Sequence, residues 1–93
     1  MESTTQKISC DLIDDPRIAM RSELDDPTLQ ELMADMRANG LIEPVVVRPV
    51  GDRYELIAGA RRTRAARLLG WGLIEAKIVS ATDDEAFSMR LAE

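Results

Sequence analysis

The sequence predicts a small single-domain α+β fold with a mixed sheet and three main helices. Segments with the two-residue period of β-strands alternate with segments of helical period, and Gly, Pro and Asp residues separate them. A chain of 93 residues is long enough for one compact domain only. We therefore expect the element order β, α, β, β, α, β, α, without repeats or low-complexity stretches.

The N-terminal half is predicted to contain a strand, a helix and a second strand. Residues 7–13 alternate between apolar and polar, which favours a strand or extended arm ended by the turn Asp14-Asp15-Pro16. Asp26-Pro27 is expected to begin the first helix, and Gly40 to end it. The strand at residues 43–49 is expected to lie between two layers, because its valines are apolar on both faces. The first helix carries a core-facing apolar stripe at Leu29, Leu32, Met33 and Met36.

The C-terminal half is predicted to contain two strands and two helices. Gly51-Asp52 should form a hairpin turn into a strand at residues 53–58, and residues 75–79 should form the last strand. Thr82 or Asp83 is expected to cap the final helix, whose first turn is acidic. This helix is expected to place three apolar residues on one face: Ala86, Phe87 and Leu91.

Residues 54–71 are the most informative segment, because they predict a strand, a glycine turn and an arginine-bearing helix. Gly59 lacks a Cβ and allows a sharp turn, and the following helix presents free N–H groups and a positive dipole end. Arg61, Arg62 and Arg64 carry forked guanidinium groups that match phosphate oxygens. Arginines on a short helix more often form only a solvated face. However, residues 59–70 contain four arginines and no acid in a chain of net charge −5, which favours a localised anion site.

Composition excludes several classes of function. The chain has no histidine and a single cysteine, so an internal disulfide, a Cys/His zinc site and a Ser-His-Asp triad are excluded. Cys10 is expected to be a buried structural residue. One Trp, one Tyr and one Phe are too few for a stacking platform, and a pI near 4.7 argues against a broad DNA-binding surface. Without a membrane span or secretion signal, the chain is expected to be cytoplasmic.

The order of these motifs resembles the N-terminal domain of ParB-like chromosome and plasmid partition proteins, which have the ParB/sulfiredoxin fold. The resemblance extends over nearly all of residues 8–93. It includes Arg21 after a proline-bearing turn, the segment Gly40-Leu41-Ile42-Glu43-Pro44, the valine-rich residues 45–48, and the segment from Tyr54 through Ala66. The resemblance implies one ParB/sulfiredoxin-like N-terminal domain over residues 1–93, truncated before a helix-turn-helix DNA-binding domain.

The resemblance also implies nucleotide chemistry. Family members bind CTP with Mg²⁺, and their Gly-x-Arg-Arg turn holds the phosphates. Matched residue by residue, the phosphate-binding set is Gly59, Ala60, Arg61, Arg62 and Arg21. The residues near the base would be Leu41, Ile42, Glu43 and Pro44. Glu93 matches the first residue of the family's Glu-Asn-x-x-Arg motif and is the implied Mg²⁺ contact.

The implied biological role is a nucleotide-dependent switch in DNA partition or segregation, or in a transcription-associated protein. CTP closes the family's homodimer into a clamp that slides on DNA, and slow CTP hydrolysis reopens it. The expected partners are CTP, DNA through a downstream domain, a second copy of the chain and a ParA-type ATPase, with no membrane. Ala60 stands where the family most often has glutamate, so the resemblance supports binding more than hydrolysis, and the catalytic residues stay unknown.

Other functions of the same fold remain as alternatives. Sulfiredoxin-type reductases need a cysteine in the glycine turn, where this chain has Ala60, so that activity is not expected. An ADP- or ATP-dependent serine kinase would need a carboxylate to activate the substrate hydroxyl, for which Glu23, Asp25 or Asp26 is available. A degenerate interaction domain that binds no nucleotide is a third reading. Glu43 stands where glutamine is common, and its carboxylate would repel phosphate or alter base preference.

Overall fold

A computed structural model describes residues 3–16, 27–41 and 43–91, and within these ranges the chain forms a mixed five-stranded sheet with three α-helices. The strands are β1 (Ser3–Ser9), β2 (Ile13–Asp14), β3 (Val45–Val50), β4 (Arg53–Ala58) and β5 (Leu73–Val79). The helices are α1 (Pro27–Asn39), α2 (Ala60–Leu68) and α3 (Asp83–Leu91), and Cys10–Leu12 forms a 3-10 turn. The predicted α+β class with three main helices is confirmed.

In the strand order β1-β5-β3-β4-β2, the end of β4 and the starts of β3 and β5 lie at the same end of the sheet. β3 and β4 form an antiparallel hairpin in which Val46 lies opposite Ala58. β3 therefore begins at the end of the sheet where β4 finishes and α2 starts. β5 runs parallel to β3, with Val45 beside Ala76, so it also begins at that end. The glycine turn after β4 consequently lies next to the segment that enters β3.

Helices cover both faces of the sheet. One core cluster joins buried residues of α1 and α2 to one face of the sheet, including Leu29, Ala65 and Val45. A smaller cluster on the opposite face joins Ala86 of α3 to the sheet. These two layers explain why the valine run at the start of β3 is apolar on both faces, as predicted.

The predicted helix ends are largely confirmed. Pro27 begins α1, and the N–H of Gly40 donates to the carbonyl of Met36 just after its last turn. α2 ends in a Schellman motif, in which the N–H of Trp71 donates to Ala66 O at 2.9 Å and the N–H of Gly70 to Arg67 O at 3.1 Å. No helix in the described part of the chain is long and apolar enough to cross a membrane.

The first predicted strand, at residues 7–13, is wrong in its bounds. β1 begins at Ser3 and ends at Ser9, and it pairs with β5 along its whole length. The chain then turns, because Ser9 Oγ accepts a hydrogen bond from the N–H of Asp11 at 3.3 Å and the N–H of Cys10 donates to Gly72 O at 3.0 Å. β1 lies at the edge of the sheet with largely exposed side chains, so its first residues need no apolar pattern.

The predicted apolar face of the last helix is also wrong. Thr82 caps α3 as predicted, and Ala86 is fully buried against the sheet. However, Phe87 and Leu91 are 60% and 71% exposed. The face toward the sheet carries Met89, which packs against the smaller core cluster, and Arg90, whose Nε donates to Leu56 O at 3.1 Å. Ala86, Met89 and this polar contact therefore lie toward the sheet, whereas Phe87 and Leu91 lie toward solvent.

Candidate functional site

Gly59 forms the turn between β4 and α2 in a conformation that only glycine adopts easily. Its φ is +97°, and a Cβ at this position would lie 2.7 Å from Val45 Cγ1 and 3.2 Å from Val45 Cα. The backbone of the turn is therefore pressed against the first residue of β3. Thr63 fixes the other side of the turn, since its N–H and its hydroxyl both donate to Gly59 O, at 2.9 and 3.0 Å.

The N-terminus of α2 has the electrostatic character of an anion site. Gly59 occupies the cap position without a side chain that could accept hydrogen bonds from the first turn, and that turn carries no acidic residue. Its N–H groups and the positive end of the helix dipole therefore favour a negatively charged group. Ala60 is half-buried and packs against the core, so it supplies backbone rather than side-chain chemistry. We call residues 59–62 the glycine turn.

Two arginine side chains extend from the glycine turn to neighbouring segments. Arg61 Nη2 donates to Thr28 Oγ1 in the first turn of α1, at 2.7 Å. Arg62 Nη2 pairs with Glu43 Oε1 in the segment before β3, at 3.2 Å. The Arg62 side chain is 38% exposed and that of Glu43 is 73% exposed, so this ion pair is open to solvent. Guanidinium donors and helix N–H groups thus share one open surface.

Arg67, at the other end of α2, has a structural role. Its Nη2 donates to the carbonyl of Cys10 at 3.0 Å and also to the carbonyl of Ile13. These contacts hold the 3-10 turn and the start of β2 against α2. The basic segment at residues 59–70 therefore has two parts. Arg61 and Arg62 belong to the glycine turn, and Arg67 holds the N-terminal segment.

The residues expected near a base lie around the entry to β3. Leu41 packs against the core and lines a groove of about 300 Å³ together with Trp71 and Leu73. Pro44 is half-buried just before Val45, while Glu43 is exposed and contacts Arg62. Among the described residues of this segment, Glu43 contacts the glycine turn through a hydrogen bond.

Several predicted residues lie outside the described ranges. They are Arg21, Ile42 and Glu93, together with the alternative acids Glu23, Asp25 and Asp26. Among the residues that the structure describes, no group of three or more His, Cys, Asp or Glu side chains could hold a metal ion.

Sequence reasoning missed two contacts of the arginines. The hydroxyl of Thr28 accepts a hydrogen bond from Arg61, which lies 33 positions away and is not linked to it by any sequence motif. The Glu43–Arg62 pair joins residues 19 positions apart, which a linear motif does not reveal. The signal available in the sequence was the substitution of a carboxylate for an amide in the segment before β3.

A second charged network lies on the opposite face of the sheet. Glu55 of β4 accepts hydrogen bonds from Arg48 of β3, at 3.0 and 3.1 Å, and from Arg90 of α3. Arg48 also donates to Asp83 Oδ1 at 2.7 Å and to Ala81 O. The hydrogen bonds to Asp83 and Glu55 raise the pKa of Arg48. This network attaches α3 to the sheet and lies apart from the glycine turn.

Comparison with known proteins gives one consistent result. The ParB N-terminal domain model matches residues 1–93. The chain is 47% identical over 88 residues to the probable chromosome-partitioning protein ParB of Coxiella burnetii, covering 95% of this chain and 30% of that protein. It is 43% identical over 77 residues to a nucleoid occlusion protein of Halalkalibacterium halodurans, covering 83% of this chain and 27% of that protein. The chain therefore spans less than a third of the length of these relatives.

Solved structures share the fold. The ParB of Caulobacter crescentus in complex with CTP-γ-S superposes with a TM-score of 0.80 at 22% identity, covering 95% of this chain and 51% of that one. Sulfiredoxin from Arabidopsis thaliana superposes with a TM-score of 0.75 at 28% identity, covering 92% of this chain and 96% of that one. Together with the family match over its whole length, these similarities show that the chain belongs to the ParB N-terminal domain family.

Proposed function

We propose that this chain is the nucleotide-binding domain of a chromosome-partitioning protein and that its glycine turn binds the phosphates of CTP. The observation that carries the proposal is the open N-terminus of α2 flanked by Arg61 and Arg62. Backbone N–H groups and forked guanidinium groups are the two donor types that proteins use most often for phosphate. Their presence on one exposed surface supports a polyphosphate ligand.

The choice of CTP rests on a related protein. A ParB of the same fold has been crystallised with CTP-γ-S, and another crystal of ParB from the same organism contains the centromeric parS site. The geometry of the glycine turn itself favours phosphates without selecting a base. Base selection is assigned to the segment before β3, which includes Leu41, Ile42, Glu43 and Pro44. We assign Arg21 as a further phosphate ligand and Glu93 as a Mg²⁺ ligand by family resemblance.

Hydrolysis of the nucleotide is a weaker expectation than binding. Ala60 has no functional group with which to orient water or an arginine. The proposed cycle therefore uses CTP as a binding signal that closes a homodimer on DNA, with slow turnover. DNA contacts through a helix-turn-helix domain and a ParA-type ATPase partner belong to the same proposal for the whole protein.

Thiol-based reduction of the sulfiredoxin type is not supported by the cysteine of this chain. Cys10 is 2% exposed, and burial raises the pKa of its thiol. A reactive cysteine needs an accessible thiolate. Cys10 also lies in the 3-10 turn that contacts the C-terminal part of α2, away from the glycine turn.

Calorimetric titration of the chain with CTP, ATP, GTP and UTP in the presence of Mg²⁺ tests the proposal. CTP is expected to bind more tightly than the other three nucleotides. Preferential binding of ATP, with turnover of free serine, would instead support the kinase alternative. If circular dichroism shows a folded protein but none of the four nucleotides produces heat, nucleotide binding by this chain would be rejected. The alternative of an interaction domain that binds no nucleotide would then be favoured.

A further inference from the structure

We infer that Glu43 acts as an intramolecular competitor of phosphate for Arg62 and thereby sets the nucleotide affinity of the site. The inference rests on the proposed function and names a residue that regulates it. Glu43 Oε1 accepts a hydrogen bond from Arg62 Nη2 at 3.2 Å in the structure. The carboxylate thus occupies one of the donors that a phosphate would use.

Arg62 already contacts a group of opposite charge within the chain. Arg62 donates to a carboxylate, which carries the same sign of charge as a phosphate and binds guanidinium in the same way. The charge of Arg62 is therefore already partly compensated within the chain.

Glu43 opposes phosphate binding whether or not it moves. If it stays beside Arg62, its negative charge repels the incoming phosphate. If it leaves, the Glu43–Arg62 pair is lost as the phosphate pair forms. The exposure of both side chains lets Glu43 leave readily, so competition lowers affinity without abolishing binding.

The substitution Glu43→Gln separates charge from shape. Glutamine has nearly the same size and keeps a carbonyl oxygen that can accept from Arg62, but it carries no charge. We expect Glu43→Gln to bind CTP about two- to tenfold more tightly than the unaltered chain, because neither the repulsion nor the loss of an exposed ion pair then opposes phosphate binding. The gain should shrink as salt is raised from 50 mM to 500 mM, since exposed charges are screened.

Asp52→Asn is the matched control for net charge. Asp52 lies in the hairpin turn after Val50, at the opposite end of β3 from the glycine turn, and is exposed. This variant changes net charge by the same amount and should alter CTP affinity by less than about 1.5-fold, because a distant exposed charge is screened. Glu43→Gln should also lose most of its gain when combined with Arg62→Ala, since the competition requires Arg62.

A parallel titration with inorganic tripolyphosphate distinguishes failure of this inference from failure of the proposed function. Tighter tripolyphosphate binding by Glu43→Gln, without any preference for CTP, would support the competition and reject the CTP assignment. An affinity of Glu43→Gln equal to that of Asp52→Asn, or weaker than that of the unaltered chain, would overturn the inference even if CTP binds. Absence of binding of both probes to every variant would overturn both.

Discussion

Gly59 is the residue on which the geometry of the glycine turn depends most strongly. Its positive φ disfavours any side chain, and its neighbour Val45 leaves no space for a Cβ. Gly70 also has a positive φ, of +80°, but a Cβ there would meet nothing within 4 Å. Comparing a substitution at Gly59 with one at Gly70 therefore distinguishes the effect of steric overlap from that of backbone strain.

We predict that Gly59→Ala lowers the free energy of unfolding by about 2–4 kcal/mol, the sum of left-handed strain and overpacking. Gly70→Ala, which adds strain alone, should cost about 1–2 kcal/mol. Urea denaturation followed by circular dichroism measures both values. Equal losses for the two variants would contradict the close contact between Gly59 and Val45.

The arginines of α2 make contacts that the motif alone does not predict. The same residue type has two roles in α2. Arg67 donates to carbonyls of the N-terminal segment, whereas Arg61 and Arg62 extend from the glycine turn. The difference between the roles of these arginines depends on the direction in which each side chain extends from the helix. That direction depends on the packing of Ala65 and Ala66 against the core.

At the scale of elements, α3 is attached to the sheet by a polar network as much as by apolar packing. Ala86 supplies the fully buried apolar contact of the helix, and Arg90 supplies the hydrogen bonds to Glu55 and Leu56. The side chains of Arg90 and Glu55 are only 14% and 24% exposed. Solvent therefore screens these contacts less than it screens a surface ion pair.

We predict that Arg90→Ala destabilises the attachment of α3 by about 1.5–3 kcal/mol, the usual range for lost hydrogen bonds to a charged group. Hydrogen exchange should show faster exchange of the α3 amides, while the amides of β3 and β5 keep their protection. Arg53→Ala, which removes an exposed pair with Asp14, is the control and should leave α3 exchange unchanged. Unchanged α3 exchange in Arg90→Ala would show that the network does not hold the helix.

The N-terminus of α3 is predicted to be sensitive to acid. Thr82 and Glu85 form a capping box, in which Thr82 N–H donates to Glu85 Oε1 at 2.8 Å and Glu85 N–H donates to Thr82 Oγ1 at 3.2 Å. The hydrogen bond from the Thr82 backbone lowers the pKa of Glu85 below its ordinary value of 4.5. A lowered folded-state pKa contributes stability that is present above the ordinary value and is lost as pH falls through the folded value.

Amide exchange or NMR chemical shifts of residues 83–86 should therefore show loosening of the first turn of α3 as pH falls below about 4.5. Glu85→Gln keeps the capping geometry available but removes the titration, so its first turn should respond much less to acid. An identical acid response in both proteins would assign the effect to another group.

The sequence predicted elements whose ends have strong local signals. Pro27 and Gly40 mark α1, and Thr82 marks the start of α3, because caps and breakers act within one turn. β1 was misplaced because an edge strand is held by backbone hydrogen bonds to β5, which leave no apolar period in its exposed residues. The orientation of α3 could not be predicted, because it depends on contacts with distant residues, such as the one between Arg90 and Glu55, 35 residues apart.

The candidate site was predicted in part for the same physical reason. Gly59, Arg61 and Arg62 are contiguous and follow a strand, so their anion-binding character is a local property. The contacts of Thr28 and Glu43 with these arginines arise only when α1 and the entry to β3 are brought together by the sheet. The local motif therefore predicted the donors, and the fold shows which groups these donors contact.

At the scale of the whole molecule, Cys10 joins the N-terminal segment to the core and provides a direct probe of global unfolding. It is 2% exposed within the main core cluster, and burial raises the pKa of its thiol. As the only cysteine of the chain, it gives a single labelling signal.

We predict that a thiol-reactive reagent labels the native protein much more slowly than the urea-unfolded protein at pH 8, because both burial and the raised pKa suppress the thiolate. The labelled fraction should follow the same urea midpoint as circular dichroism, as expected for one cooperative domain. Labelling at the rate of an unfolded peptide in the absence of urea would contradict the burial of Cys10.

The assembly of the site also belongs to this scale. The sheet brings the end of β4, the start of β3 and the first turn of α1 to one region, so that three distant segments of the chain surround Arg61 and Arg62. A ligand bound there would contact several segments at once. Nucleotide binding and fold stability are therefore expected to be linked, since a ligand of the folded state stabilises it.

Calorimetric titration of CTP into the unaltered chain, Arg61→Ala and Arg62→Ala tests the central claim most directly. Each substitution removes a charge-assisted hydrogen bond to phosphate and should weaken CTP binding by about 1.5–3 kcal/mol without unfolding the protein. Arg53→Ala, an arginine paired with Asp14 at the far end of the hairpin, should leave the affinity unchanged. Unchanged CTP affinity in both Arg61→Ala and Arg62→Ala would contradict the assignment of the glycine turn as the phosphate site.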